Sequence, residues 1–197
     1  MNISWFHNSL RRCAFAAACL LLAPAPAFAA DAPAFDLARL MQLLAQTKEA
    51  QFPYVERKYS DLLAEPLVSS GTLLWRRPGV VEKNMAAPRA ERFRIEGEEL
   101  IVARKGVERR YPLASQPLLG AFAASLRGML GGDLALLREH YSLALEGSES
   151  DWHVDLVPLD DEMKRYVARI RVGGQAGKVT EIETRETGGD RSVLQVR

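Results

Sequence analysis

The sequence predicts a mainly β fold, a single antiparallel sheet of about 11 strands curved into an incomplete barrel and covered by about three helices. Three observations carry that expectation. Short segments of period-two alternation recur from Phe52 onward, each closed by glycine or proline. Helical periodicity is confined to one stretch ahead of them and one block between Ser115 and Leu137. The alternating segments keep one apolar face, which must be buried against the helices as core or enclose a ligand.

The first thirty residues read as an address. Arg11-Arg12 ends a basic region, Cys13 to Leu22 is an apolar run too short to span a bilayer, and Ala27-Phe28-Ala29 fits small-x-small cleavage. Residues 1–29 are therefore expected to be a secretory signal peptide, and 30–197 a single ligand-binding domain. Cys19 lacks the lead-in of a lipidation site, and both cysteines leave with the signal. A secreted chain without disulfides points to the Gram-negative periplasm, held by its core. Without Arg11 and Arg12 the formal charge falls from +1 to −1, which argues against nucleic acid and against general adhesion to anionic membrane.

Phe35, Leu37, Leu40, Met41 and Leu44 repeat at helical spacing behind Asp36, giving a helix of about three turns. Strands are expected near 53–61, 68–76, 80–86, 90–95, 99–104 and 107–112, parted by Pro66, Pro78-Gly79, Pro88, Gly97 and Gly106. Ser115 opens a second helix with Leu118, Leu119, Phe122 and Leu126 on one side, stopped by Gly131-Gly132. Asp133 reads as the N-cap of a further short helix. Strands return near 140–146, 151–158, 165–173, 178–185 and 191–196. Their shared face carries Leu73, Trp75, Phe93, Ile95, Tyr141, Leu143, Leu145, Trp152, Val154, Leu156, Ile170 and Val172.

The most telling residue is Arg77. In an extended segment Leu73, Trp75 and Arg77 point one way, and Pro78-Gly79 ends the strand there, so a guanidinium stands at the end of an apolar row. Catalytic chemistry is not legible. His140 and His153 have no sequence neighbour to orient them as bases, and Asp160-Asp161-Glu162 lacks the spaced ligands of a calcium loop and reads as a solvated turn. No serine elbow, phosphate loop, dinucleotide fingerprint or zinc histidine pair occurs, so an enzyme, a cofactor and a metal are not expected.

In this order and spacing the chain resembles the LolA-type outer-membrane lipoprotein carriers. The resemblance runs through Tyr54-Val55-Glu56-Arg57-Lys58-Tyr59, Pro66 to Leu73 with its Ser69-Ser70-Gly71, Arg76-Arg77-Pro78-Gly79 and Pro88. It continues in the Glu96 to Leu100 turn, Pro117-Leu118-Leu119 and Asp155-Leu156-Val157-Pro158. It implies a half-open barrel with a helical lid, no enzyme activity, and a monomeric periplasmic carrier. Such a carrier shuttles acyl chains of lipoproteins or lipids from an inner-membrane exporter to an outer-membrane acceptor. It also implies that Arg77 clasps the lid to the barrel in the empty state. The acyl cavity is then expected among Leu40, Leu44, Leu73, Trp75, Phe93, Ile95, Phe122, Leu126, Leu143, Val154, Leu156 and Ile170. Val81 falls where the family has an aromatic after the Arg-Pro turn, and is assigned to partner docking. That substitution, the basic strands around Arg104 and Arg109, and the end of the chain at Arg197 mark a divergent branch. The alternative is an envelope binding module that uses the same fold to hold a protein partner and has a dry core.

Overall fold

The computed structural model describes residues 35–115 and 117–197; the expected signal segment and its two cysteines lie outside them, as do the side chains of Pro117, Leu118, Leu119 and Ala121. One open antiparallel sheet of 11 strands runs in the order β6-β5-β4-β3-β2-β1-β11-β10-β9-β8-β7. The first six strands are Glu49–Tyr59, Leu67–Arg76, Val80–Ala87, Glu91–Glu96, Glu99–Arg104 and Val107–Pro112. The last five are Tyr141–Ser148, Asp151–Pro158, Val167–Gln175, Lys178–Glu186 and Arg191–Val196. Each half is a meander of neighbours, and the halves join only where β1 pairs with β11, from Tyr54 opposite Val196 to Tyr59 opposite Arg191.

Four helices accompany the sheet: α1 (Leu37–Leu44), α2 (Pro117–Gly131), α3 (Leu134–His140) and α4 (Asp161–Lys164). The first is shorter than its periodicity predicts. Asp36 caps it by accepting from Arg39 N at 2.8 Å, and Phe35, ahead of the cap, packs on the cluster that holds Leu40. A 3₁₀ turn over Leu113–Ser115 precedes α2, so Ser115 closes a turn where the sequence placed the helix start. Asp133 caps α3 as its position implied. The Asp160-Asp161-Glu162 run is more than a solvated turn: Asp160 accepts from Met163 N at 2.9 Å and starts α4, which buries Met163 against the core. β1 begins at Glu49, earlier than the alternation implied, because its first three residues complete the ladder to β2 although Pro53 gives no N–H.

Burial is uneven. Leu40, Met41 and Leu44 of α1 and Leu137 of α3 close down on Tyr141, Trp152, Val154, Leu156, Ile170 and Val172. A smaller cluster gathers Trp75, Val81 and Ile95 under Ala123 of α2. Between the two, over β1, β11 and β10, the helices stand off the sheet. The convex face is polar and laced with cross-strand ion pairs. Asp155 takes Arg171 in a two-pronged contact at 2.7 and 2.6 Å, and His153 meets Glu146 at 2.8 Å.

Two predictions test this packing. Gly132 has a φ of +71°, and a Cβ there would come 2.2 Å from Met41 O at the end of α1. Gly132→Ala should therefore cost about 1–3 kcal/mol in urea unfolding; an unchanged midpoint would contradict this α1–α2 junction. The Arg171 guanidinium holds the Asp155 carboxyl below its ordinary value of 3.8. A depressed carboxyl stabilises the fold above its unfolded pKa and loses that contribution as pH falls through the folded one. Asp155→Asn should thus lower stability by about 0.5–1 kcal/mol at pH 7, after allowing for solvent screening. The gap between variant and parent should close below pH ~3.8, which acid titration of both proteins by circular dichroism measures.

Candidate functional site

The space between the two core clusters is a cavity of about 680 Å³, within the range of small-molecule sites. Its walls follow from strand parity. Ala50, Phe52, Tyr54 and Glu56 of β1 share a face with Trp75, Leu73, Gly71 and Ser69 opposite them on β2. The same face continues as Val81 and Lys83 on β3, Ile95 and Phe93 on β4, and Leu194 and Val196 on β11. From above, Leu44 of α1 and Phe122, Leu126 and Leu130 of α2 complete the wall. A second void, apolar and of about 20 Å³, lies between α2 and the β8–β10 strands.

The expected cavity residues divide by position. Leu44, Leu73, Trp75, Phe93, Ile95, Phe122 and Leu126 line the large cavity, and Leu156 and Ile170 the small void. Leu40, Leu143 and Val154 do neither, because α1 and α3 press directly on β7–β9 and leave no space there. Val81, assigned to partner docking, is 8% exposed, packs with Ile95 and Trp75, and lines the cavity wall.

At one end of the cavity the sheet holds the helices. The Arg77 Nη2 donates to Ala45 O at 2.6 Å and to Gly131 O at 2.8 Å, and its Nε to Thr47 O at 3.4 Å. Ala45 is the C-cap of α1 and Gly131 the last residue of α2. One cation thus sits on the negative ends of two helix dipoles, and satisfies carbonyls that the helices cannot satisfy themselves. Below it Trp75, only 4% exposed, gives its indole N–H to Thr47 O at 3.2 Å.

A second clasp runs the other way. Arg127 of α2 donates from Nε to Gly79 O at 3.1 Å and from Nη2 to Gly97 O, tying the helix to the β2–β3 and β4–β5 turns. Sequence reading missed it, although a signal existed: Arg127 is the only charged residue of α2. At the far end of the cavity, away from the clasps, the wall turns polar. Lys83 Nζ lies 2.5 Å from Glu56 Oε2, to which Ser69 also donates at 3.1 Å, and Thr184 and Ser192 line the wall beside them.

An open half-barrel whose helical lid is pinned over an apolar cavity defines the class by its fold, a lidded half-barrel with an internal cavity. Over residues 29–195 the chain matches the family described as outer membrane lipoprotein carrier protein LolA-like. It belongs to that family. No curated protein matches it in sequence. Among solved structures it is similar to a LolA superfamily protein from Nitrosomonas europaea at 15% identity and a TM-score of 0.45, over 82% of this chain and 89% of that one. A DUF1329 family protein from Desulfovibrio piger matches at 12% identity and 0.46, over 82% and 89%. The lipoprotein LppX of Mycobacterium tuberculosis matches at 12% and 0.40, over 82% and 92%.

Removing the second clasp should loosen α2 without unfolding the sheet. Arg127→Ala is expected to speed amide exchange across 120–131 by about fivefold, the ratio for the loss of about 1 kcal/mol, while β7–β9 keep parental rates. Hydrogen exchange with mass spectrometry gives both, and unchanged protection over α2 would show that Arg127 is not a clasp.

Proposed function

We propose that the protein is a periplasmic carrier that holds acyl chains of lipoproteins or lipids in the large cavity and moves them from the inner to the outer membrane. It works as a monomer without chemistry or cofactor, meeting an inner-membrane exporter and an outer-membrane acceptor in turn. The observation that carries this reading is the apolar cavity bounded by a lid whose end is held shut by polar, reversible contacts. Each buried CH₂ contributes about 0.8 kcal/mol toward opening, while each clasp hydrogen bond contributes about 1 kcal/mol toward closing. A few methylenes therefore overcome the clasps. The same small difference lets cargo leave again, as a carrier requires.

Arginine suits the role better than lysine. Its rigid fork serves carbonyls of two helices at once, and its charge persists at any envelope pH. Opening then exchanges one defined closed state for one open state.

Parent protein should take up one fluorescent fatty acid. Arg77→Leu, which removes the contacts that compete with opening and adds apolar surface, should bind it about three- to tenfold more tightly, equivalent to about 0.7–1.4 kcal/mol, and release it more slowly. Dye titration and stopped-flow displacement measure both. No uptake by parent and variant alike would sink the carrier reading, and equal affinities and release rates would remove Arg77 from the lid.

A further inference from the structure

Acyl burial makes no use of charge, yet Glu56 and Lys83 line one end of the same cavity, while the exposed Lys178 lines it elsewhere, at the start of β10. Glu56 and Lys83 are about three-quarters buried, with side-chain exposures of 22% and 28%. Such a pair in an apolar wall is not a source of stability in itself, because desolvation offsets the attraction. Lys83 reaches it from a distance. On the ladder Lys83 stands opposite Leu73, and Leu73 opposite Phe52, while Glu56 is four residues further along β1. Its ammonium passes 5.1 Å from the centre of the Tyr54 ring to meet the carboxylate.

Tyr54 supplies the second, independent observation. It is 1% exposed, and its hydroxyl has Ser69 as its polar neighbour but makes no hydrogen bond of good geometry. A phenol buried without a well-formed hydrogen bond is costly and rare. Ser69, its polar neighbour, gives its own hydrogen to Glu56. Burial raises the phenol pKa, so Tyr54 stays a neutral donor and acceptor. With Thr184 and Ser192 on the adjoining strands, one end of the cavity thus gathers an ammonium, a carboxylate and two hydroxyls, with the buried Tyr54 behind them.

We propose that this patch is a head-group subsite for a neutral, oxygen-rich head, of the kind an acylglycerol presents with its hydroxyl and ester carbonyl groups, and that the acyl chain runs from it toward Trp75. The inference rests on the carrier reading and names its ligand class. The geometry sets the length: from Glu56 to Ala50, which faces Trp75, is six residues of extended strand, about 20 Å, the scale of a long acyl chain. The charges set the preference. Lys83 is already neutralised at hydrogen-bond distance by Glu56, so an anionic head such as a free carboxylate or phosphate meets the carboxylate as closely as the ammonium. A cationic head meets the converse. A neutral head donates to Glu56 and accepts from Lys83 or a hydroxyl, without separating the pair.

The test is competition of a neutral dye by amphiphiles of one chain length at pH 7.5: a monoacylglycerol, the free fatty acid, a lysophosphatidic acid and an alkylammonium. Parent protein should favour the monoacylglycerol by about tenfold over each charged competitor, which is about 1.4 kcal/mol. Glu56→Gln leaves the Lys83 charge uncompensated and should reverse the order, improving the fatty acid about tenfold or more. Should that variant fold poorly, the paired change Glu56→Gln with Lys83→Met keeps the volume and removes both charges; it should bring the four affinities within about twofold of each other. Head-independent affinities in the parent, the parental order in Glu56→Gln, or a retained preference in the paired variant would each overturn the subsite while leaving the carrier reading intact. Failure of all four amphiphiles to displace dye would overturn the carrier reading and the subsite with it.

Discussion

A concave sheet of 11 strands presents more apolar surface than four short helices can cover, and this mismatch of areas governs the rest of the molecule. Helices pack at about 8–10 Å from what they cover, so α1 and α3 seal β7–β9, and α2 closes over β2–β4. What lies between is left with apolar walls and no filling. In an ordinary domain such a void would be collapsed, because unfilled volume costs about 24 cal/mol per Å³. Here the ladders on either side of β1 keep the wall at its curvature.

Because the lid cannot be held by burial alone over this region, it is held at its end. The two arginines differ in origin and agree in chemistry: each spends its donors on backbone carbonyls at helix ends or turns. Carbonyl acceptors make the closure insensitive to which side chains occupy the lid. They also keep it independent of any partner's charge, unlike a carboxylate acceptor, which would titrate and screen with salt. Gly132 lets α2 end close on α1, so both helices bring their carbonyl ends to one guanidinium.

The fold was legible in the sequence to an unusual degree, because glycine and proline punctuate almost every strand and the alternation keeps its phase. Trp75, Ile95, Val154 and Ile170 could be assigned to the inner face without any partner in view. What parity cannot say is how far the helices stand from that face. Val154 carries the same pattern as Leu73, yet the first is sealed in the core beneath the helices and the second lines open space. The distinction depends on helix placement, which is set by sequence-distant contacts. Arg127 and the Glu56–Lys83 pair escaped notice because their partners are carbonyls of remote turns or a residue 27 positions away.

The pairing of β1 with β11 has a consequence in time. Arg57 and Gln195, diagonal neighbours that hydrogen-bond across that seam, are 138 positions apart, whereas every other pairing joins neighbours in sequence. Neighbouring hairpins can form as soon as they emerge, but a contact of that separation waits for nearly the whole chain and bears the largest loop-closure entropy. Until Arg191–Val196 arrives, β1 keeps an unpaired edge and the inner apolar face lies open along it. The nascent chain therefore passes through a long interval as two half-sheets, exposed to whatever binds greasy surfaces nearby, and its capacity to enclose anything appears only with its final strand.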